Sequence, residues 1–74
     1  MDIEARLRHL ELRYRAASSA AVAAQAHYLA LDAEPSATPS AVERAKTALR
    51  RLEIRKMALT AQMGELEQSE QDFA

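Results

Sequence analysis

Both prolines of the 74-residue chain lie near its middle and divide the sequence into two halves of similar length. Proline cannot continue an α-helix, because it lacks a backbone N–H and its ring clashes with the preceding turn. On either side, the abundance of Ala, Leu, Glu and Arg favours helix, and the single glycine, Gly64, is expected to fray the second half near its end. The sequence therefore predicts a first helix at about residues 3–32, a turn at about 33–38, a second helix at about 39–68 and a polar tail at 69–74.

Capping residues support both predicted helix starts. Asp2 is suited to cap the first helix, because its carboxylate can accept a hydrogen bond from a free backbone N–H. For the second helix, Thr38 before Pro39 is a cap followed by a proline at the first helical position. Ser40 with Glu43 forms a competing capping box. Both alternatives begin the second helix near residues 39–41.

Apolar residues recur at alternating spacings of three and four in both predicted helices, which is the pattern of a coiled coil. In the first helix this stripe contains Ile3, Leu7, Leu10, Tyr14, Ala17, Ala21, Ala24, Tyr28 and Leu31. In the second helix it contains Val42, Ala45, Leu49, Leu52, Lys56, Leu59, Met63 and Leu66. The short turn makes the helices antiparallel neighbours, so that residue i lies beside roughly residue 73 − i.

This register places large side chains beside small ones at several levels, as close packing requires. The predicted pairs are Leu31 with Val42, Tyr28 with Ala45, Ala24 with Leu49, Ala21 with Leu52, and Leu10 with Met63. Lys56 falls opposite Ala17 and is expected to extend over that small residue toward solvent. The predicted fold class is all-α: an antiparallel two-helix coiled-coil hairpin, completed by oligomerisation or by a partner protein.

The length of the chain favours association with a partner. Below about 70 to 80 residues, a single core is usually supplemented by disulfides, a metal or oligomerisation. The chain has no cysteine and only two histidines, so disulfides are excluded and a metal site is not expected. A net charge of −1 provides no overall attraction to nucleic acid or to an anionic membrane. The acidic residues near the start do not fit a secretory signal, which favours a cytoplasmic location.

Residues 16–31 contain no charged side chain, although one side of this helix would face water in an isolated hairpin. A helix that is apolar on all sides is usually buried on all sides. The predicted partner-binding residues on its outer side are Ala16, Val22, Ala23, Ala26, Leu29 and Ala30. The alternative is that alanine, a good helix former, is simply tolerated in water. A membrane span is disfavoured, because the segment is short and contains Ser, Gln and His.

A weaker set of apolar residues lies off the stripe of the second helix. It contains Ile54, Met57, Ala58 and Ala61, and it suggests contact with the same partner. The alternative is a scatter of surface hydrophobic residues, which is common in soluble proteins.

Six basic residues and a single acid occur between residues 44 and 56. The candidate contacts to phosphate or to an acidic partner are Arg44, Lys46, Arg50, Arg51 and Arg55. No aromatic residue interleaves with them and no DNA-binding motif is present, so nucleic-acid binding is the less favoured interpretation and a solvated helix face the more favoured one.

Nothing in the sequence indicates catalysis. His9 and His27 share no metal-ligand spacing, and the carboxylates fall on exposed helix positions without a glycine-rich loop or a nucleophile motif. We therefore expect no enzyme activity, no catalytic, cofactor-binding or metal-binding residue, and no small-molecule substrate.

Five spaced residues of the second helix carry a resemblance to a known family. They are Leu52, Lys56, Met57, Leu59 and Met63. This set resembles the Leu-x-x-x-Lys-Leu-x-Leu-Lys-Asp-x-Ile signature of the small YdcH-like bacterial proteins, with Met in place of Leu and Ile. His27 and Leu31 also occur where that family places a His and a nearby Leu. The resemblance covers about residues 27–63 and implies a non-catalytic helical hairpin.

The short length, the opening Ile3–Leu7 and the proline-containing turn are also similar to the YscE-type co-chaperones of type III secretion. Those proteins are short helical hairpins that pair with a repeat-helix chaperone and hold the needle subunit unpolymerised. This resemblance likewise implies a hairpin that acts by binding.

The expected function is a non-catalytic protein–protein interaction module, such as a small adaptor, co-chaperone or assembly factor. Its partner is expected to be a second copy or another helical protein, with no membrane and no cofactor. The alternatives are a type III secretion needle co-chaperone and a basic helical module that touches nucleic acid. Added salt separates the last of these from apolar association, because phosphate binding weakens steeply with salt.

Overall fold

The computed structural model describes the backbone of residues 2–73 and the side chains of residues 2–72. It contains two α-helices, α1 at Ile3–Ala33 and α2 at Pro39–Phe73, which pack along their length. Leu10, near the start of α1, clusters with Leu59 and Met63, near the end of α2, so the helices run antiparallel. The hairpin is a rod of 58 × 15 × 15 Å. The predicted all-α hairpin is confirmed.

Side-chain caps fix where each helix begins. The Glu4 backbone N–H donates to Asp2 Oδ1 at 3.0 Å, as the sequence predicts. At the start of α2, the Ala41 backbone N–H donates to Thr38 Oγ1 at 3.2 Å. Ser40 Oγ lies 3.4 Å from Thr38 Oγ1 instead of capping the helix itself. Of the two alternatives for this helix start, the threonine cap is the one formed.

This choice of cap leads to a measurable prediction. Thr38→Ala removes the acceptor of the Ala41 N–H, so we expect it to lower the free energy of unfolding by about 1 kcal/mol. Ser40→Ala is the matched control and should cost less, because its hydroxyl contacts only the Thr38 side chain. Urea unfolding followed by circular dichroism measures both. Equal losses for the two variants would contradict the threonine cap.

α2 ends later than the sequence suggests. The helix continues through Gly64 to Phe73 and so includes most of the predicted polar tail, whose last residue, Ala74, lies outside the described residues. One exposed glycine costs only about 1 kcal/mol, and the Glu, Leu and Gln residues that follow are good helix formers. Leu66 also packs on the core, and Gln68 Nε2 donates to an Asp72 carboxylate oxygen at 3.3 Å.

The predicted stripe forms the contact between the helices. All of its residues are buried or half-buried, which confirms the coiled-coil pattern. Among the described side chains, the buried ones are Leu10, Ala17, Ala21, Ala45 and Leu59. Three of these five are alanines, so the helices approach closely but the core between them is small. Tyr14, Met63 and Leu66 pack around its leucine-rich end.

Lys56 is the charged member of the stripe. Its Nζ atom lies 5.9 Å from the centroid of the Tyr14 ring and 3.8 Å from Glu53 Oε2. The ammonium group therefore lies between an aromatic ring of α1 and a carboxylate of α2, where the side chain stays partly exposed. The aromatic face adds a contribution of about 0.5–1 kcal/mol that spacing alone did not indicate.

Candidate protein-interaction surfaces

The uncharged segment of α1 presents an apolar surface to solvent. Val22 is 71% exposed and Leu29 is 54% exposed, although both lie within a helix that packs along α2. The four predicted alanines are exposed as well. Because the stripe faces α2, residues on the far side of the helix point away from the rest of the molecule. We call this surface the α1 outer face: Leu12, Ala16, Val22, Ala23, Ala26, Leu29 and Ala30.

Leu12 belongs to this surface but was not predicted from the sequence. It is 61% exposed and lies between Glu11 and Arg13, outside the uncharged segment. A prediction based on the uncharged segment alone therefore omits Leu12. Leu12 precedes Ala26 by fourteen residues, which is two heptads, so both lie on the same side of α1. That spacing is the signal that could have found it.

The apolar residues predicted on α2 form a second surface. Ile54 and Met57 are each more than half exposed, and Ala58 and Ala61 are exposed beside them. We call these four residues the α2 outer face. It points away from α1, whereas the α1 outer face points away from α2, so the two surfaces lie on opposite sides of a rod 15 Å wide. One partner helix can cover only one of them.

The five basic residues of α2 that were predicted as contacts are all exposed, but they do not form one patch. Arg44 and Arg51 are seven residues apart and line a shallow depression along one edge of α2. Arg55 points toward the same edge, where it lies near α1. Lys46 and Arg50, four residues apart, point toward the opposite edge. Counting charges along the sequence therefore overstates the charge density on either side.

A groove of about 460 Å³ opens where the start of α1 meets the end of α2. It is lined by Ala5, Arg6, His9, Leu10, Gln62, Glu65, Leu66 and Ser69. Its residues come from both ends of the chain, so no local sequence pattern marks it. Among the described residues, no three His, Asp or Glu side chains lie close enough together to hold a metal ion.

Comparisons with known proteins give no relative. No family model matches the chain, and neither a curated protein nor a solved structure matches it. Within residues 2–73, neither helix combines the length and apolar character that crossing a membrane requires.

Proposed function

We propose that this protein is a non-catalytic protein–protein interaction module, of the adaptor, co-chaperone or assembly-factor type. It binds another helical polypeptide through the α1 outer face. The observation that carries the proposal is the exposure of Val22 and Leu29 within a segment that has no charged side chain. A contiguous apolar surface on a small protein is typical of a binding site.

The total surface of the hairpin supports the proposal. The chain exposes 5692 Å². A monomeric globular protein of 8.2 kDa exposes on the order of 4,500 Å². The hairpin therefore exposes about 1,200 Å² more surface than such a protein, because two helices packed side by side bury only one side of each.

The small core supports it as well. Among the side chains of residues 2–72, only Leu10 and Leu59 are both large and buried. A core of this size rarely stabilises so short a chain by more than about 3–5 kcal/mol. Burial of the α1 outer face against a second polypeptide would add apolar contacts that the hairpin cannot make within itself.

The proposal is tested by mapping the surface used for binding. Backbone amide signals of ¹⁵N-labelled protein are followed while unlabelled protein, or separately an unlabelled extract of the source cells, is added. We expect shifts or line broadening at residues 16–30 of α1 in at least one of the two titrations. Signals of residues 44–51, which carry exposed basic side chains, serve as the internal control and should change less.

Two outcomes would contradict this function. One is the absence of any change at residues 16–30 in both titrations. The other is a change centred on residues 44–51 that disappears when salt is added, which would indicate phosphate binding by the basic side chains.

A further inference from the structure

We propose that the partner of the α1 outer face is an acidic amphipathic helix of another protein, whose carboxylates pair with Arg13 of α1 and Arg55 of α2. The two arginines line one shallow depression of about 200 Å³ between the helices, which we call the arginine notch. This inference rests on the proposed function, since it states the chemistry of the partner that the same surface binds.

The arginine notch adjoins the α1 outer face. Ala16 belongs to both, and it follows Arg13 by three residues, which is about one helical turn. The other residues that line the notch are uncharged: Ala17, Ala20 and Leu52. A helix that covers Ala16 therefore passes beside one guanidinium group from each helix of the hairpin.

No carboxylate of the hairpin neutralises this pair of arginines. The nearest acid in sequence to Arg13 is Glu11, and the nearest to Arg55 is Glu53. Each acid precedes its arginine by two residues, a rotation of about 200°, so it points to the opposite side of its helix. Among the described side chains, the one ion pair joins Glu53 to Lys56. Two like charges thus share a depression, and a carboxylate from outside would be attracted by both.

The opposite edge of the hairpin differs, because its depressions contain their own acids. Glu53 and Lys56 line one of them. Glu4 and Glu11 line another, together with Arg8. The charge that a partner meets beside the α1 outer face is therefore positive on the side of the arginine notch and mixed on the other side. This difference favours an acidic partner over a basic one.

The surroundings of the notch favour a helix over a small anion. A phosphate group could pair with the arginines, but it would leave the apolar residues of the α1 outer face in water. A helix with an apolar stripe and acids beside it contacts both, with the charges at the rim of the interface.

The spacing of the two arginines suits such a helix. The antiparallel register places Arg55 beside about residue 18 of α1, so the two arginines are about 7.5 Å apart along the rod at 1.5 Å per residue. Two acids four residues apart on a partner helix are separated by about 6 Å along its axis. Arginine side chains are long enough to make up the difference, and each can bind a carboxylate through two parallel hydrogen bonds.

Two synthetic peptides of about 20 residues, which are about 30 Å long as helices, test the preference for acids on the full chain. Both have a leucine stripe on one side. Beside the stripe, one peptide has pairs of glutamates four residues apart, and the other has glutamines at the same positions. Each is added to ¹⁵N-labelled protein, and the amide signals of residues 16–30 give the affinity. We expect the glutamate peptide to bind about tenfold more tightly, the combined effect of two exposed ion pairs.

Charge reversal in the protein identifies the side chains responsible. The Arg13→Glu, Arg55→Glu variant should lose the preference for the glutamate peptide. The Lys46→Glu, Arg50→Glu variant is the matched control and should keep it, because it changes the net charge by the same amount at the opposite edge of α2. All four positions are exposed and glutamate is a good helix former, so both variants should keep their helix content.

Three results would overturn the proposal. The first is equal affinity of the two peptides for the unmodified protein, or binding of neither at residues 16–30. The second is an equal loss of preference in the two charge-reversal variants. The third is binding of inorganic phosphate as tight as that of the glutamate peptide, which would indicate a simple anion site. In each case the proposed function stands if unlabelled protein or the cell extract still perturbs residues 16–30, and it falls as well if neither does.

Discussion

Replacing Ala23 and Ala26 together with glutamate is expected to abolish the amide signal changes that the proposed partner causes at residues 16–30. Both alanines lie at the centre of the α1 outer face, so the substitutions place two carboxylates where the partner would cover them. Burial of an unpaired charge costs several kcal/mol, and like charges in contact add to that cost. In the free hairpin both positions are exposed and glutamate is a good helix former, so the helix content of the variant should change little.

The matched control carries the same two substitutions at Ala5 and Ala48. Both are exposed alanines, so the net charge and the helix propensity change equally, but both lie outside the α1 outer face. Ala5 precedes Ala26 by three heptads, so both lie on the same side of α1. The two variants therefore differ in where along α1 the charge is added. In the same titrations, the control should keep the signal changes of the unmodified protein. Undiminished signal changes for the Ala23→Glu, Ala26→Glu variant would place the contact on another surface.

The coiled-coil stripe was predictable from the sequence because its period is a property of single helices. Alternating spacings of three and four place Leu10, Ala17 and Leu59 in the stripe of their own helix, and this does not depend on how the two helices pack. The end of α2 was less predictable. Gly64 indicated fraying from its intrinsic propensity, but no neighbour approaches its position within 4 Å and Leu66 still packs on the core. A local propensity of about 1 kcal/mol was outweighed by a tertiary contact.

The residues of the candidate surfaces were predictable from the sequence, but the positions of these surfaces relative to each other were not. Val22 and Leu29 were predicted as binding residues because residues 16–31 contain no charged side chain, and this can be read directly from the sequence. Whether Ile54 lies beside them or opposite them depends on how the two helices face each other, which requires the hairpin. The separation of Lys46 from Arg44 has the same cause, since neighbours in sequence point to different edges of a helix.

Leu59→Ala is expected to cause the largest loss of stability among single substitutions in the hairpin. Leu59 is only 2% exposed and packs with Leu10 and Ala17 in the buried cluster between the helices. The substitution removes buried methyl groups and leaves a cavity beside Ala17, which is too small to fill it. Such changes cost about 2–5 kcal/mol. A core of this size stabilises so short a chain by about 3–5 kcal/mol at most, so the variant should lose most of its resistance to urea.

Leu12→Ala provides the matched control for this experiment, since it is the same chemical change at a leucine that is 61% exposed. Its loss should stay near 0.5 kcal/mol, because little apolar surface leaves water when the hairpin folds at that position. Both variants are unfolded at the same low protein concentration, so that binding at the α1 outer face, which includes Leu12, adds little to either loss. The half-buried Leu49 and Leu52 should fall between the two. Similar losses for Leu59→Ala and Leu12→Ala would mean that burial between α1 and α2 does not decide the stability of this protein.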